Sequence, residues 1–296
     1  MRTTVFLLAI LASPALAHLA GAQTVEQTAY VSVLDKDGRP VGGLDVADFE
    51  VIEDGRRREV LRAGRTSDPV DLAVIVDNSF AAQPNILDLR KALTAFFATM
   101  AERQANIALV GMADRPTVLM NYTSGAAETR KGIDRIFAQP GSGMVFQDTV
   151  KDTATGLAKR ENPRRVIVLI TGEGTDFSNT PYQTTLDVLR TSGASFYVIR
   201  LTDRDGAAVR DDRARERALV IDEGPKASGG RTEDVLSSMS YADALAKVAE
   251  DLANTYKVVF GRPGALVPPK EFEVKVARDG LSARGTLVRP RSGASR

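Results

Sequence analysis

One stretch combines oxygen-bearing side chains with an abrupt change of pattern. Asp71 to Val76 reads DLAVIV, and it is followed at once by Asp77, Asn78 and Ser79. In an open α/β sheet such a loop, at the carboxyl end of a strand, is where ligands bind. Ser79 beside Asp77 could be read as a nucleophile and its neighbour, but it would need a base to take its proton. The chain has no Cys, and its single His is His18, inside or beside an N-terminal leader. A Ser-His-Asp triad, a Cys nucleophile and a His- or Cys-ligated zinc are therefore excluded from the mature chain. Carboxylates remain, among them Asp148, Glu173 and Asp176, but no two are paired by spacing as a glycan-cleaving enzyme would need. The expectation is a protein that is not an enzyme.

Two further acidic patterns have a simpler reading. Asp35 to Gly38 and Asp203 to Gly206 both read Asp-x-Asp-Gly. A calcium loop of the EF-hand kind needs an oxygen at its fifth position and Glu at its twelfth. Those places hold Arg39 and Val46 in the first stretch, Ala207 and Ala214 in the second. Both are expected to be turns.

The elements that must carry these residues alternate. Leu72–Val76 and Arg165–Thr171 are short apolar runs rich in β-branched residues, as strands buried on both faces are. Ala105–Gly111 and Ser195–Leu201 read as further strands, and Thr117–Met120 as an edge strand. Helical patterns fall over Pro84–Met100, Ala127–Phe137, Phe146–Lys159, Thr184–Thr191 and Tyr241–Thr255. Such alternation predicts an α/β fold with a mostly parallel, Rossmann-like central sheet and helices on both faces. In such sheets ligands bind at the carboxyl ends of the strands, which is where Asp77 stands. Strand patterns also lie at Tyr30–Leu34, Phe49–Ile52 and Val60–Leu61, and again at Tyr256–Phe260, Glu271–Val276 and Gly285–Val288. Neither end can bury a core alone, so the two are expected to pack as one small antiparallel β domain, a β-sandwich-like flank with the α/β unit inserted. The expected boundaries are a leader over 1–22, β segments over 23–68 and 256–290, the α/β domain over 69–255 and a tail over 291–296. Residues 203–223, dense in charge, are expected to form a solvated insertion with one short helix.

Composition narrows the partners. Lys plus Arg number 39 against 38 Asp plus Glu, there is no Trp and aromatics are 6%, which argues against a nucleic-acid surface. Arg2, the apolar Val5–Leu11 and the small residues of Ala15-Leu16-Ala17 or Ala20-Gly21-Ala22 make a secretory signal peptide. Export to the periplasm or beyond is therefore expected, with no transmembrane segment left after cleavage.

In this order the segments resemble the von Willebrand factor A (VWA) domain, and more narrowly the secreted bacterial proteins in which β-rich flanks surround it. The likeness is carried by Val31–Gly55, DLAVIVDNS, RRVIVLIT (Arg164–Thr171) and Tyr241–Phe260, and spans nearly all of the mature chain. The resemblance implies a metal-ion-dependent adhesion site (MIDAS) built from a D-x-S-x-S loop, a Thr and an Asp, with an open position for a partner's carboxylate. Asp77 and Ser79 match its first two ligands. The third falls on Ala81, the Thr on Met144 (with Asp148 set against the Asp that begins the next helix) and the Asp on Gly172. Three of the five oxygens are missing, so the resemblance implies a degenerate site that binds no metal and serves as a protein-docking face. The alternative is Mg²⁺- or Mn²⁺-dependent adhesion through Asp77, Ser79 and a substitute carboxylate such as Glu173.

Overall fold

The computed structural model describes residues 24–202, 212–264 and 267–292. In chain order its strands are β1 (Thr24–Leu34), β2 (Phe49–Glu53), β3 (Arg56–Arg58), β4 (Val60–Arg65), β5 (Val70–Val76), β6 (Asn106–Gly111), β7 (Thr117–Thr123), β8 (Arg164–Thr171), β9 (Ala194–Leu201), β10 (Thr232–Val235), β11 (Tyr256–Pro263), β12 (Phe272–Val276) and β13 (Ser282–Leu287). The α-helices are α1 (Ile86–Ala101), α2 (Ala126–Asp134), α3 (Phe146–Ala158), α4 (Tyr182–Ser192), α5 (Asp212–Ser228) and α6 (Tyr241–Ala253).

The apolar runs decide the middle of the molecule. Every residue of β5 and of β8 is buried, because the sheet they belong to is covered on both faces. Its strand order is β10-β9-β8-β5-β6-β7, parallel except for the antiparallel edge strand β7. The two-residue period of a strand deals alternate side chains to opposite cores. Leu72, Val74 and Val76 join Val166, Val168 and Ile170 beneath α1 and α6. Ala73, Ile75, Ile167 and Leu169 pack with residues of α3, α4 and α5 on the other face. At about 1.5–3 kcal/mol for each fully buried Val, Leu or Ile, these two layers fix the positions of the loops at the strand ends.

The two chain ends build a second unit together, as expected. One sheet runs β13-β1-β11-β4 and a smaller one β12-β2-β3, both antiparallel. Their inner faces share one core, with Val31, Val51, Tyr256, Phe260 and Val274 in it. Arg284 donates to the Gly230 carbonyl at 2.8 Å, the Ser195 and Thr286 hydroxyls lie 2.9 Å apart, and Ser32 bonds the fully buried Asp251, so polar contacts tie this unit to the α/β layer. The Asp35 stretch is a turn, its carboxylate accepting the N–H groups of Asp37 and Arg39 at 2.9 Å each. The second Asp-x-Asp-Gly stretch and the leader residues 1–22 lie outside the described residues.

Three departures from the sequence expectation matter. The helix expected over Ala127–Phe137 ends at Asp134, which frees residues 135–145 to cross the carboxyl end of the sheet. The stretch 203–223, read as a solvated insertion, is instead helical from Asp212, and α5 buries Arg217, Val220 and Ile221. Residues 203–211 lie outside the described residues. Finally β10, with the charged pair Glu233-Asp234, adds a short parallel edge beside β9.

Candidate functional site

The carboxyl ends of β5, β8, β9 and β10 open on one face, and the loops there are locked together by backbone contacts. Asp77 N–H donates to the Ile170 carbonyl at 2.9 Å, carrying the β5–β8 ladder one residue past the strand. Asn78 anchors the next step: its Oδ1 accepts the Ala113 N–H at 3.1 Å and its carbonyl the Gln139 N–H at 2.9 Å. Gly111 is required for this, since a Cβ there would stand 2.7 Å from Asn78 Oδ1. The segment before α3 is bound to the loop after β8 by an isolated parallel bridge, Met144 to Asp176. Met144 N–H donates to the Thr175 carbonyl at 2.9 Å, and Phe177 N–H donates to the Met144 carbonyl at 2.8 Å.

The five positions aligned with the adhesion motif converge on this face. A Cβ on Gly174 would meet Met144 Cε at 2.8 Å and Ala81 Cβ at 3.5 Å, so a thioether and a methyl sit against the loop. Gly172 leaves the fifth position without a side chain. Asp77 Oδ1 accepts the Ser79 N–H at 2.9 Å, while Asp77 Oδ2 and Ser79 Oγ are buried without a hydrogen-bond partner. The contrast with the amino end of the same strand is instructive. Asp71 is equally buried, yet its oxygens accept from both arms of Arg160, from Asn162 and from Asn106. Burial raises the Asp77 carboxyl above the usual range, outweighing the influence of nearby Ser79 and Gly172 and the Arg217 charge, which all favour ionisation.

The carboxylates that sequence offered as substitutes have other engagements. Asp176 Oδ1 accepts Phe146 N–H at 3.2 Å and both the N–H and hydroxyl of Ser178, so it caps the start of α3. Asp148 accepts the N–H groups of Asn179 and Thr180 at 3.1 and 3.0 Å, and the Thr180 hydroxyl. Burial would raise Asp148, but these donors together hold it below its ordinary value. Glu173 faces Arg217, whose Nη2 lies 3.1 Å from its Oε2.

Arg217 is the residue that sequence reasoning missed. It reaches the face from α5, is 5% exposed, and donates through Nη1 to the Gly174 carbonyl at 3.0 Å while lying 3.2 Å from Met144 Sδ. A signal for it exists. Arg217, Val220, Ile221 and Gly224 fall at i, i+3, i+4 and i+7, one face of a helix, and all four are buried.

Residues 72–175 match the family model for the von Willebrand factor type A domain. The stretch from β5 to the loop after β8 is therefore of the von Willebrand factor type A kind. Solved structures share the fold at low identity. Proximal thread matrix protein 1 from the mussel byssus is 14% identical, with a TM-score of 0.50 over 68% of this chain and 49% of that one. This chain thus spans about half the length of that protein. A variant of the PilB minor pilin from Streptococcus sanguinis is 11% identical over 78% of this chain and 88% of that one, with a TM-score of 0.49. The vWF domain of the type V pili tip protein Mfa5 from Porphyromonas gingivalis is 13% identical over 62% and 95%, with a TM-score of 0.46. No curated protein matches the chain by sequence.

Within this VWA domain the loop face has two further properties. A cleft of about 580 Å³ opens between the start of α1, the ends of β8 and β9, and the β10–α6 connection; Asp77, Glu173, Leu89, Leu236, Ser238 and Tyr241 are among its walls. Phe80, Leu87, Phe137, Phe177, Leu236 and Met239, each more than half exposed, lie on the loops and helix starts at this end of the sheet, and Leu236 also lines the cleft. These are six of the eleven large exposed hydrophobic side chains among the described residues, so the apolar surface concentrates on this face. Among those residues no helix is long and apolar enough to cross a membrane.

Proposed function

We propose that the chain is an exported, non-catalytic interaction module that docks a protein partner on the carboxyl-end face of its VWA domain without a metal ion. The observation that carries this reading is the concentration of exposed aromatic and aliphatic side chains on the loops and helix starts at this end of the sheet, since exposed apolar surface marks interaction sites. The donor set supports the metal-free part. A hard cation at Asp77 and Ser79 would find a methyl at Ala81, a thioether at Met144 and no side chain at Gly172. Arg217 holds Glu173 and the Gly174 carbonyl, so Glu173 is engaged rather than free to stand in for a missing ligand. Export to the periplasm or the exterior rests on the leader-like residues 1–22.

A second reading, metal-dependent adhesion through Asp77, Ser79 and Glu173, is favoured by the two buried oxygens without partners, Asp77 Oδ2 and Ser79 Oγ. Thermal melts of chelator-treated protein in Mg²⁺, Mn²⁺ and Ca²⁺ separate the two. The metal-free reading gives melting temperatures independent of each ion. A saturable rise lost in both Asp77→Ala and Glu173→Ala establishes the other. For docking itself, Phe177→Ser with Leu236→Ser, both at exposed positions, should abolish retention of the source organism's envelope proteins while leaving the melt unchanged. Undiminished retention would refute the face.

A further inference from the structure

We infer that the cleft beside Asp77 receives a basic side chain, lysine or arginine, presented by the docking partner; this rests on the docking reading above. A VWA domain with its metal in place would present a cation to an acidic partner, and the present face has the opposite polarity. Asp77 lines the cleft, is 5% exposed, and has one carboxylate oxygen with no hydrogen-bond partner. Glu173 lines the same cleft, and Asp88 stands behind Ser238, whose hydroxyl donates to it at 2.5 Å. The charges of Asp77 and Asp88 also act on the Tyr241 phenol, which burial first and these acids second push up. No Lys or Arg is among the described residues that line the cleft, and the nearby Arg217 is committed to Glu173 and the Gly174 carbonyl.

The shape suits the same ligand. Leu89, Ile170, Leu201 and Leu236 provide apolar walls for the methylene stem of a long basic side chain. A buried ion pair is favourable only when the remaining N–H groups also find acceptors. The hydroxyls of Thr202, Ser237 and Ser238 and the Asn85 amide supply candidates on the rim. The volume, about 580 Å³, lies within the range of side-chain and small-ligand pockets. A partner seated over Leu236 and the neighbouring exposed apolar side chains would then exclude water from around the pair, as interface rims do around a central anchor.

Titration of the mature chain with n-butylammonium and n-propylguanidinium, read by ¹H–¹⁵N correlation spectra, tests this directly. Saturable shifts are expected at Ala81, Gly172 and Leu236, weakened about tenfold or more in Asp77→Asn, as for loss of a desolvated charge pair. Ala81→Lys, at an exposed position that leaves the core untouched, should block both probes by placing an ammonium at the mouth. Equal shifts in Asp77→Asn, or binding of butyrate with Mg²⁺ in place of the cations, would overturn the inference. A displayed peptide library selected on the immobilised chain separates this inference from the docking reading. Binders mapping to Phe177 and Leu236 with a required Lys or Arg support both. Binders mapping there without any basic residue overturn the inference and leave the docking face standing.

Discussion

Asp77→Asn should stabilise the fold, which is an uncommon result for a polar substitution in a domain's interior. The amide keeps the acceptor that receives the Ser79 N–H at 2.9 Å and replaces the unpartnered Oδ2 with an NH₂ group. Removing a desolvated charge gains about 2–4 kcal/mol, since an unpaired buried ion costs several. Against that, the attraction to Arg217 is lost, worth about 1 kcal/mol at the effective dielectric of a protein. The new amide N–H groups also lack acceptors, which costs about 1 kcal/mol. The net is about +1 kcal/mol, or a rise in melting temperature of roughly 2–4 °C for a chain of this size. The pH dependence gives the sign a second check. Burial raises Asp77 in the fold above its unfolded value of about 4, so the penalty on its charged form is absent below that pH and complete above the folded value. Calorimetric melts in chelator should therefore show the variant's advantage at pH 7 and its disappearance toward pH 4. A variant less stable than the parent at pH 7, or an advantage that does not change with pH, would refute an unpartnered Asp77.

Other expectations follow from neighbouring contacts. Arg217→Ala removes donors to Gly174 and Glu173 from a buried site and should destabilise by about 2–3 kcal/mol in denaturant titration, with no recovery on adding Mg²⁺. Asp148→Ala releases the N–H groups of Asn179 and Thr180 and should cost about 1 kcal/mol, as loss of a capping carboxylate does. Because Asp148 is held below its ordinary value, its contribution is present above pH 4 and lost as pH falls through the folded value, so parent and variant melts should converge in acid. Gly111→Ala drives a methyl to 2.7 Å from Asn78 Oδ1 and should cost about 2 kcal/mol, with the Ala113 and Gln139 amides exchanging faster with solvent.

The layers were legible in the sequence because burial on both faces leaves a plain mark. Leu72–Val76 and Val166–Ile170 are unbroken apolar runs, and each is covered by helices on both sides. The candidate face was legible too, because Asp77 and Ser79 close such a run where an α/β sheet offers its ligands. What escaped was set by tertiary contact. β10 lies at a sheet edge, where Glu233 and Asp234 break the apolar pattern that marks the central strands, so the pattern did not reveal it. Arg217 sits in a run of charges whose composition suggests a solvated segment, although its buried face keeps helical spacing. Asp148 looked free in one dimension and is consumed by backbone N–H groups in three, while Asp176 spends Oδ1 on such groups and keeps Oδ2 buried without a partner.

Anomalous diffraction at the manganese edge, from crystals of the chelator-stripped chain soaked in Mn²⁺, addresses the metal-free face most directly. The account predicts no anomalous peak beside Asp77 and Ser79, with the Arg217 guanidinium still on Glu173 and the Gly174 carbonyl. An ordered peak within about 2.3 Å of Asp77 Oδ2 and Ser79 Oγ, at the distance of a coordinated divalent ion, would contradict it.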